Sequence, residues 1–113
     1  MKKPLELCSL DAIPDPGSRG FCISIDDRPQ EIMVIRRQNR VYAYLNSCPH
    51  TGAALDWMPG EFLTLDQSRI ICALHGAEFE IDNGYCVYGP CQGDRLTALT
   101  VGVTGNKVLL ETG

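Results

Sequence analysis

The amino-acid sequence predicts an all-β domain of about nine or ten short strands, and three observations carry that expectation. Short runs rich in β-branched and aromatic residues recur along the chain, the pattern that half-buried strands require. Few segments show the periodicity of an amphipathic helix. Turn residues separate the runs where hairpins need them, the strongest being Asn83-Gly84, a pair that readily takes the backbone of a tight two-residue loop.

The elements follow in order. FCISID (21–26) alternates and stops at DDRP, where Pro29 suits a turn. EIMVIRR (31–37) and VYAYLN (41–46) flank Gln38-Asn39-Arg40, which reads as a tight hairpin. EFLTLD (61–66) and RIICAL (69–74) flank Gln67-Ser68, a second hairpin. AEFEID (77–82) runs into Asn83-Gly84, and YCVYG (85–89) returns from it. RLTALTVGV (95–103) and KVLLE (107–111) join through Thr104-Gly105-Asn106, a closing hairpin. No internal repeat, low-complexity segment or linker interrupts the 113 residues, which is the size of one domain (1–113) with one core.

Composition narrows the function. The apolar fraction of 44% and the charged fraction of 21% are ordinary for a globular chain. A net charge of -4 without a basic cluster argues against nucleic acid as a partner; Arg36-Arg37, with Arg40 close behind, reads as a solvated strand end. No apolar stretch approaches the roughly 18 residues of a membrane span. Lys2 and Lys3 open the chain as a signal peptide might, but Pro4, Glu6 and Asp11 break any apolar run. The expected location is therefore the cytoplasm. Six cysteines in a reducing compartment point to metal or redox chemistry rather than a disulfide scaffold. Cys8 and Cys22, in strand-like surroundings, are expected as small buried apolar residues.

Two of the other four cysteines keep company with the two histidines of the chain. CPHTGAAL sets Cys48 two residues before His50, and CALHGAEF sets Cys72 three residues before His75. Both pairs fall on expected loops, where rigid strands can turn them towards each other. Structural zinc sites group like ligands, two cysteines in one half and two histidines in the other. Here each loop supplies one of each, which suits a two-iron cluster whose irons have different ligands, although ligand type alone leaves zinc open.

C48-P-H50 and C72-A-L-H75-G76 resemble the two halves of the Rieske [2Fe–2S] motif, and GPC at Gly89 to Cys91 resembles the proline loop that covers the cluster in that family. The similarity spans about residues 40–102. It implies a Rieske-like antiparallel β-sandwich or barrel with a small cluster-binding subdomain of two hairpin loops, about residues 46–92. It also implies one [2Fe–2S] cluster per chain, with Cys48 and Cys72 on the inner iron and His50 and His75 on the outer, more exposed one. Two ferric ions, two sulfides and two thiolates sum to zero, whereas four-cysteine ligation gives a more negative centre. The neutral site accepts an electron more readily, which raises its potential above that of plant-type ferredoxins.

Four positions refine the resemblance. The high-potential members bridge the two loops with an extra pair of cysteines, where this chain has Ala53 and Leu74. Those members also carry a serine and a tyrosine that donate hydrogen bonds to sulfur; the matching Ala77 and Phe79 have no hydroxyl. Fewer donors leave a reduced cluster less stabilised, so the expected potential lies towards about -150 mV. Glu78 and Glu80 push weakly the same way.

Twenty-one residues (51–71) separate His50 from Cys72, more than in the compact members, and Trp57 is expected to pack inward or shield the cluster rather than form an exposed patch with Met58. Cys86 and Cys91 are expected to stay unbridged. Pro90 and Leu74 are expected to form an apolar lid, while Gly52 and Gly76 let backbone N–H groups near the sulfides.

The expected function is a ferredoxin, a one-electron carrier between a reductase and an oxygenase or similar terminal enzyme, with no membrane partner. An acidic balance favours a basic face on the partner. No catalytic residues of its own are assigned, since both histidines are committed as ligands. One alternative is a redox-active small Rieske subunit of a reductase such as a nitrite reductase; another is a zinc-stabilised interaction module.

Overall fold

The computed structural model describes residues 4–25, 27–47, 54–56, 58, 60–72, 76–89 and 93–111. Among them run ten strands: β1 (Pro4–Ser9), β2 (Gly17–Ile25), β3 (Arg28–Arg37), β4 (Arg40–Leu45), β5 (Arg69–Ile71), β6 (Glu78–Glu80), β7 (Cys86–Tyr88), β8 (Ala98–Leu99), β9 (Val101–Thr104) and β10 (Lys107–Glu111). A short 3-10 turn, Leu10–Ala12, follows β1. The all-β expectation holds, and every paired neighbour is antiparallel.

Three sheets form, ordered β1-β10-β9, β2-β3-β4-β8 and β5-β6-β7. The second is the shared wall. Along β3, Ile32, Met33, Val34 and Ile35 are all at 0% exposure, the mark of a strand covered on both faces. Successive side chains point to opposite faces, so this run feeds two separate cores. Ile32, Val34 and Ala43 pack with Leu10, Ile13, Val108 and Leu110 under the β1-β10-β9 sheet, the lower core. Met33, Ile35 and Tyr44 pack with Ile70, Phe79, Ile81 and Leu96 under the β5-β6-β7 sheet, the upper core. Fully burying one such side chain contributes about 1.5–3 kcal/mol, so both layers are held to the wall chiefly by apolar contact.

Pro29 is not in the turn; it is the second residue of β3, opposite Ser24. β4 pairs only from Ile32 onwards, so β3 has a single neighbour at Pro29 and the missing N–H costs no ladder bond. Residues 61–66 form no strand. Isolated bridges Met58↔Glu61 and Leu63↔Ile70 stand there instead: Thr64 N–H donates to Arg69 O and Ile71 N–H to Phe62 O, while the Phe62 N–H goes to Ser18 Oγ at 3.2 Å, whose hydroxyl donates to Gly60 O at 2.8 Å. β5 ends at Ile71, not at residue 74, and the Cys72 N–H to Ala77 O bond closes its hairpin with β6 in register. Residues 95–103 are split at Thr100, where the chain leaves β4 for β10. β1, to which the sequence reading assigned no strand, pairs along β10 from Pro4↔Glu111 to Ser9↔Lys107. Cys22 is exposed, not buried, and Cys8 is half-buried against the lower core.

Candidate metal centre

The site is built from the ends of strands. β4 leads through Asn46 into the first Cys/His segment, and Asn46 ties the segment off at its base. Its Oδ1 accepts the Leu55 N–H at 2.7 Å, and its Nδ2 donates to Asp56 Oδ1 at 3.1 Å. The Asn46 N–H itself donates to Glu31 O at 2.9 Å, anchoring the tie to β3. Leu55, at 0% exposure, then plugs into the upper core beside Cys72.

Cys72 follows β5 and is also at 0% exposure. Its turn closes on itself: Gly76 N–H donates to Cys72 O and Cys72 N–H to Ala77 O, each at 2.8 Å. Ala77 and Phe79 are fully buried next to it. Beyond β7, Gly89 lies against Ala77 so closely that a Cβ on Gly89 would meet the Ala77 Cα at 2.7 Å. Three segments therefore converge where Cys72 sits.

Of the four candidate ligands, Cys72 is described; Cys48, His50 and His75 lie outside the described residues, as do Gly52, Ala53, Trp57, Leu74, Pro90 and Cys91. Among the described residues no group of three His, Cys, Asp or Glu side chains converges as a metal site. Cys86 is buried, with its Sγ hydrogen-bonded to Tyr88 O at 3.3 Å. Met58 is 56% exposed.

The surroundings of Cys72 are apolar. Tyr44 is the buried hydroxyl nearest in kind to a sulfur donor, and it is engaged elsewhere, donating to Ile81 O at 2.7 Å. Burial, helped by the Asp82 carboxylate and by Tyr42, pushes its pKa up to about 12, so it stays protonated and keeps that bond. The Asn46 tie and the Gly89–Ala77 approach were not picked out as functional from sequence. An asparagine two residues before the cysteine was the only signal for the first, and Gly89 appeared only as part of the GPC run.

A small antiparallel β domain in which the Asn46 tie, the buried Cys72 turn and Gly89 converge, in a chain with two Cys/His pairs in its sequence, is the frame of an iron–sulfur electron-transfer module. The Rieske [2Fe-2S] domain model matches residues 6–104, and the chain belongs to that family. Family membership carries with it a Rieske-type [2Fe–2S] cluster, and this selects iron over the zinc alternative. The chain is similar to the ferredoxin of carbazole 1,9a-dioxygenase from Nocardioides aromaticivorans IC177, at 27% identity and TM-score 0.76, covering 98% of this chain and 99% of that one. It shares its fold with the Sphingomonas yanoikuyae B1 ferredoxin, at 22% identity and TM-score 0.72 over 98% and 100% of the two chains. It also shares it with a protein described as the small subunit of an NADH-dependent nitrite reductase from Mycobacterium tuberculosis, at 20% identity and TM-score 0.71 over 100% and 97%. No curated protein matches the sequence.

The described residues fit such a cluster. A thiol buried in apolar surroundings at a tied turn suits an inner, water-shielded ligand, and the donor set of two thiols and two imidazoles is the one a Rieske centre needs. Among the described residues no helix is long and apolar enough to cross a membrane.

Proposed function

We propose that the chain acts as one Rieske domain over residues 1–113, with its cluster-binding part at about 46–92, and carries single electrons between a reductase and a terminal oxygenase or similar enzyme. Cys48 and Cys72 hold the inner iron and His50 and His75 the outer one. The observation that carries this reading is the placement of Cys72, a buried thiol where three segments are tied together in a chain of the Rieske family.

When bound, the cluster supplies the reversible uptake of one electron. The protein sets the conditions. Burial of Cys72 keeps water from its sulfur. The Ala77 and Phe79 side chains have no donor to offer the site, and the Tyr44 hydroxyl is spent on Ile81 O. Poor hydrogen bonding to sulfur keeps the potential towards about -150 mV, the low end for this ligation. The net charge of -4 favours a partner with a basic docking face. The oxygenase partner is supported by the likeness to a ferredoxin of a dioxygenase system. A second reading, the redox-active small subunit of a reductase such as a nitrite reductase, has the fold of one such subunit behind it. Thiols at Cys8 and Cys22 suit a reducing, cytoplasmic location.

The test is electron paramagnetic resonance of the anaerobically reduced protein with a redox titration. A Rieske signal at a low potential is the expected result. Stoichiometric zinc with no signal from iron-supplemented preparations overturns the reading, and a Rieske signal at high potential overturns the part assigned to Ala77 and Phe79. Co-purification with a large flavin- or haem-containing enzyme would favour the subunit reading over the free carrier.

A further inference from the structure

Gly89 stands where a side chain cannot. Its φ of +104° is left-handed, and a Cβ there would lie 2.7 Å from Ala77 Cα, 3.0 Å from Ala77 Cβ and 3.3 Å from Ala77 N. These are backbone atoms and a methyl fixed to them, with no flexible end to swing aside. Ala77 cannot retreat either, because its carbonyl accepts the Cys72 N–H at 2.8 Å and the residue is at 0% exposure. Gly93, a few residues on, makes an informative contrast. Its φ of +98° is nearly the same, yet among the described residues nothing lies within 4 Å of where its Cβ would be.

We propose that Gly89 is a positioning residue: its bare backbone seals the seam over Ala77, and through the Ala77–Cys72 hydrogen bond that seal fixes the inner thiol and keeps it dry. The argument runs through contact. A methyl at 89 must lift the 88–89 backbone from Ala77, which opens a path for water to the Cys72 turn. Water near the sulfur supplies the hydrogen bonds that Ala77 and Phe79 withhold, so the reduced centre becomes easier to form. The inference rests on the proposed function for its redox consequence, whereas the seal itself is a property of the chain.

The experiment compares Gly89→Ala with Gly93→Ala in the purified protein, by hydrogen exchange of residues 70–79 and by potential and cluster half-life. Gly93→Ala carries the backbone strain without the collision. Gly89→Ala is expected to speed exchange in 70–79 about tenfold, equivalent to about 1.4 kcal/mol of local stability. It should also raise the potential and shorten the cluster half-life severalfold, while Gly93→Ala leaves all three near wild type. Equal behaviour of the two variants overturns the proposal and leaves Gly89 conserving only its backbone angle. If Gly89→Ala does not accumulate as folded protein, Ala77→Gly opens the same seam from below without strain at 89. Faster exchange in it supports the seal and unchanged exchange overturns it. Should the wild type show no Rieske signal, the proposed function falls, and the exchange comparison still decides whether the seam is sealed.

Discussion

Asn46 does the work of three anchors with one residue, and its chemistry sets a sharp expectation. Replacing it with alanine removes the acceptor for Leu55 N–H and the donor to Asp56. The loss should be about 1–3 kcal/mol, read as a fall in the denaturation midpoint, with faster cluster loss. Asn46→Asp keeps the acceptor but sets a second carboxylate against Asp56, so it should be worse near neutral pH than in mild acid. Tyr44 gives a pH signature of its own. Its pKa is raised from 10.0 to about 12 by burial first. The folded state therefore holds the proton more tightly than the unfolded one, and stability present below pH ~10 is lost as pH rises towards ~12. Denaturation of the wild type and of Tyr44→Phe across that window should show the slope in the first and not the second.

At the scale of the element, the turn between Leu63 and Arg69 holds itself together through Asp66. Thr64 Oγ1 donates to its carboxylate at 2.6 Å, Ser68 Oγ at 2.7 Å and Ser68 N–H at 3.1 Å. These donors, Thr64 first, lower its pKa to about 2. A depressed carboxylate stabilises the fold above its ordinary pKa of ~3.8 and loses that contribution as pH falls towards ~2. An NMR titration of the Asp66 side chain should find the low value in the wild type and a higher one in the Thr64→Val, Ser68→Ala pair, which keeps only the Ser68 N–H of the three donors. Elements of this kind were partly legible. The hairpins at Gln38-Asn39 and Asn83-Gly84 could be read because turn chemistry is local. Residues 61–66 read as a strand because their alternation is real. What the sequence could not display was Ser18, distant along the chain, whose hydroxyl takes the Phe62 N–H, while only Phe62 and Thr64 bond across to Ile71 and Arg69. Thr100 hid a change of sheet for the same reason, since the choice between β4 and β10 is made by tertiary contact. The Cys/His spacing, by contrast, is local chemistry, and it announced the family without any structure.

For the whole molecule, the shared wall makes neighbouring residues answer to different layers. Ile32 belongs to the lower core and Met33 to the upper one, and both are fully buried. Ile32→Ala and Met33→Ala should each cost about 2–5 kcal/mol in global stability. Only Met33→Ala should also hasten cluster loss when both are compared at matched fraction folded, because its core holds Leu55, Cys72 and Ala77. Equal loss from both would mean that the two cores act as one. The sequence IMVI carried a trace of this arrangement, four apolar residues in a row where a half-exposed strand would alternate.

The pairing of β1 with β10 also dictates an order of assembly. β2, β3 and β4 are joined by short connections and can form their meander as soon as they leave the ribosome. Arg36 can add its own bonds early, donating to Leu10 O and Ile13 O at 3.1 Å each. Among the described residues β1 has no strand partner except β10, the tenth of the described strands in chain order. β1 therefore stays without its strand partner until every intervening strand has been made, and the lower layer closes only after β10 has emerged.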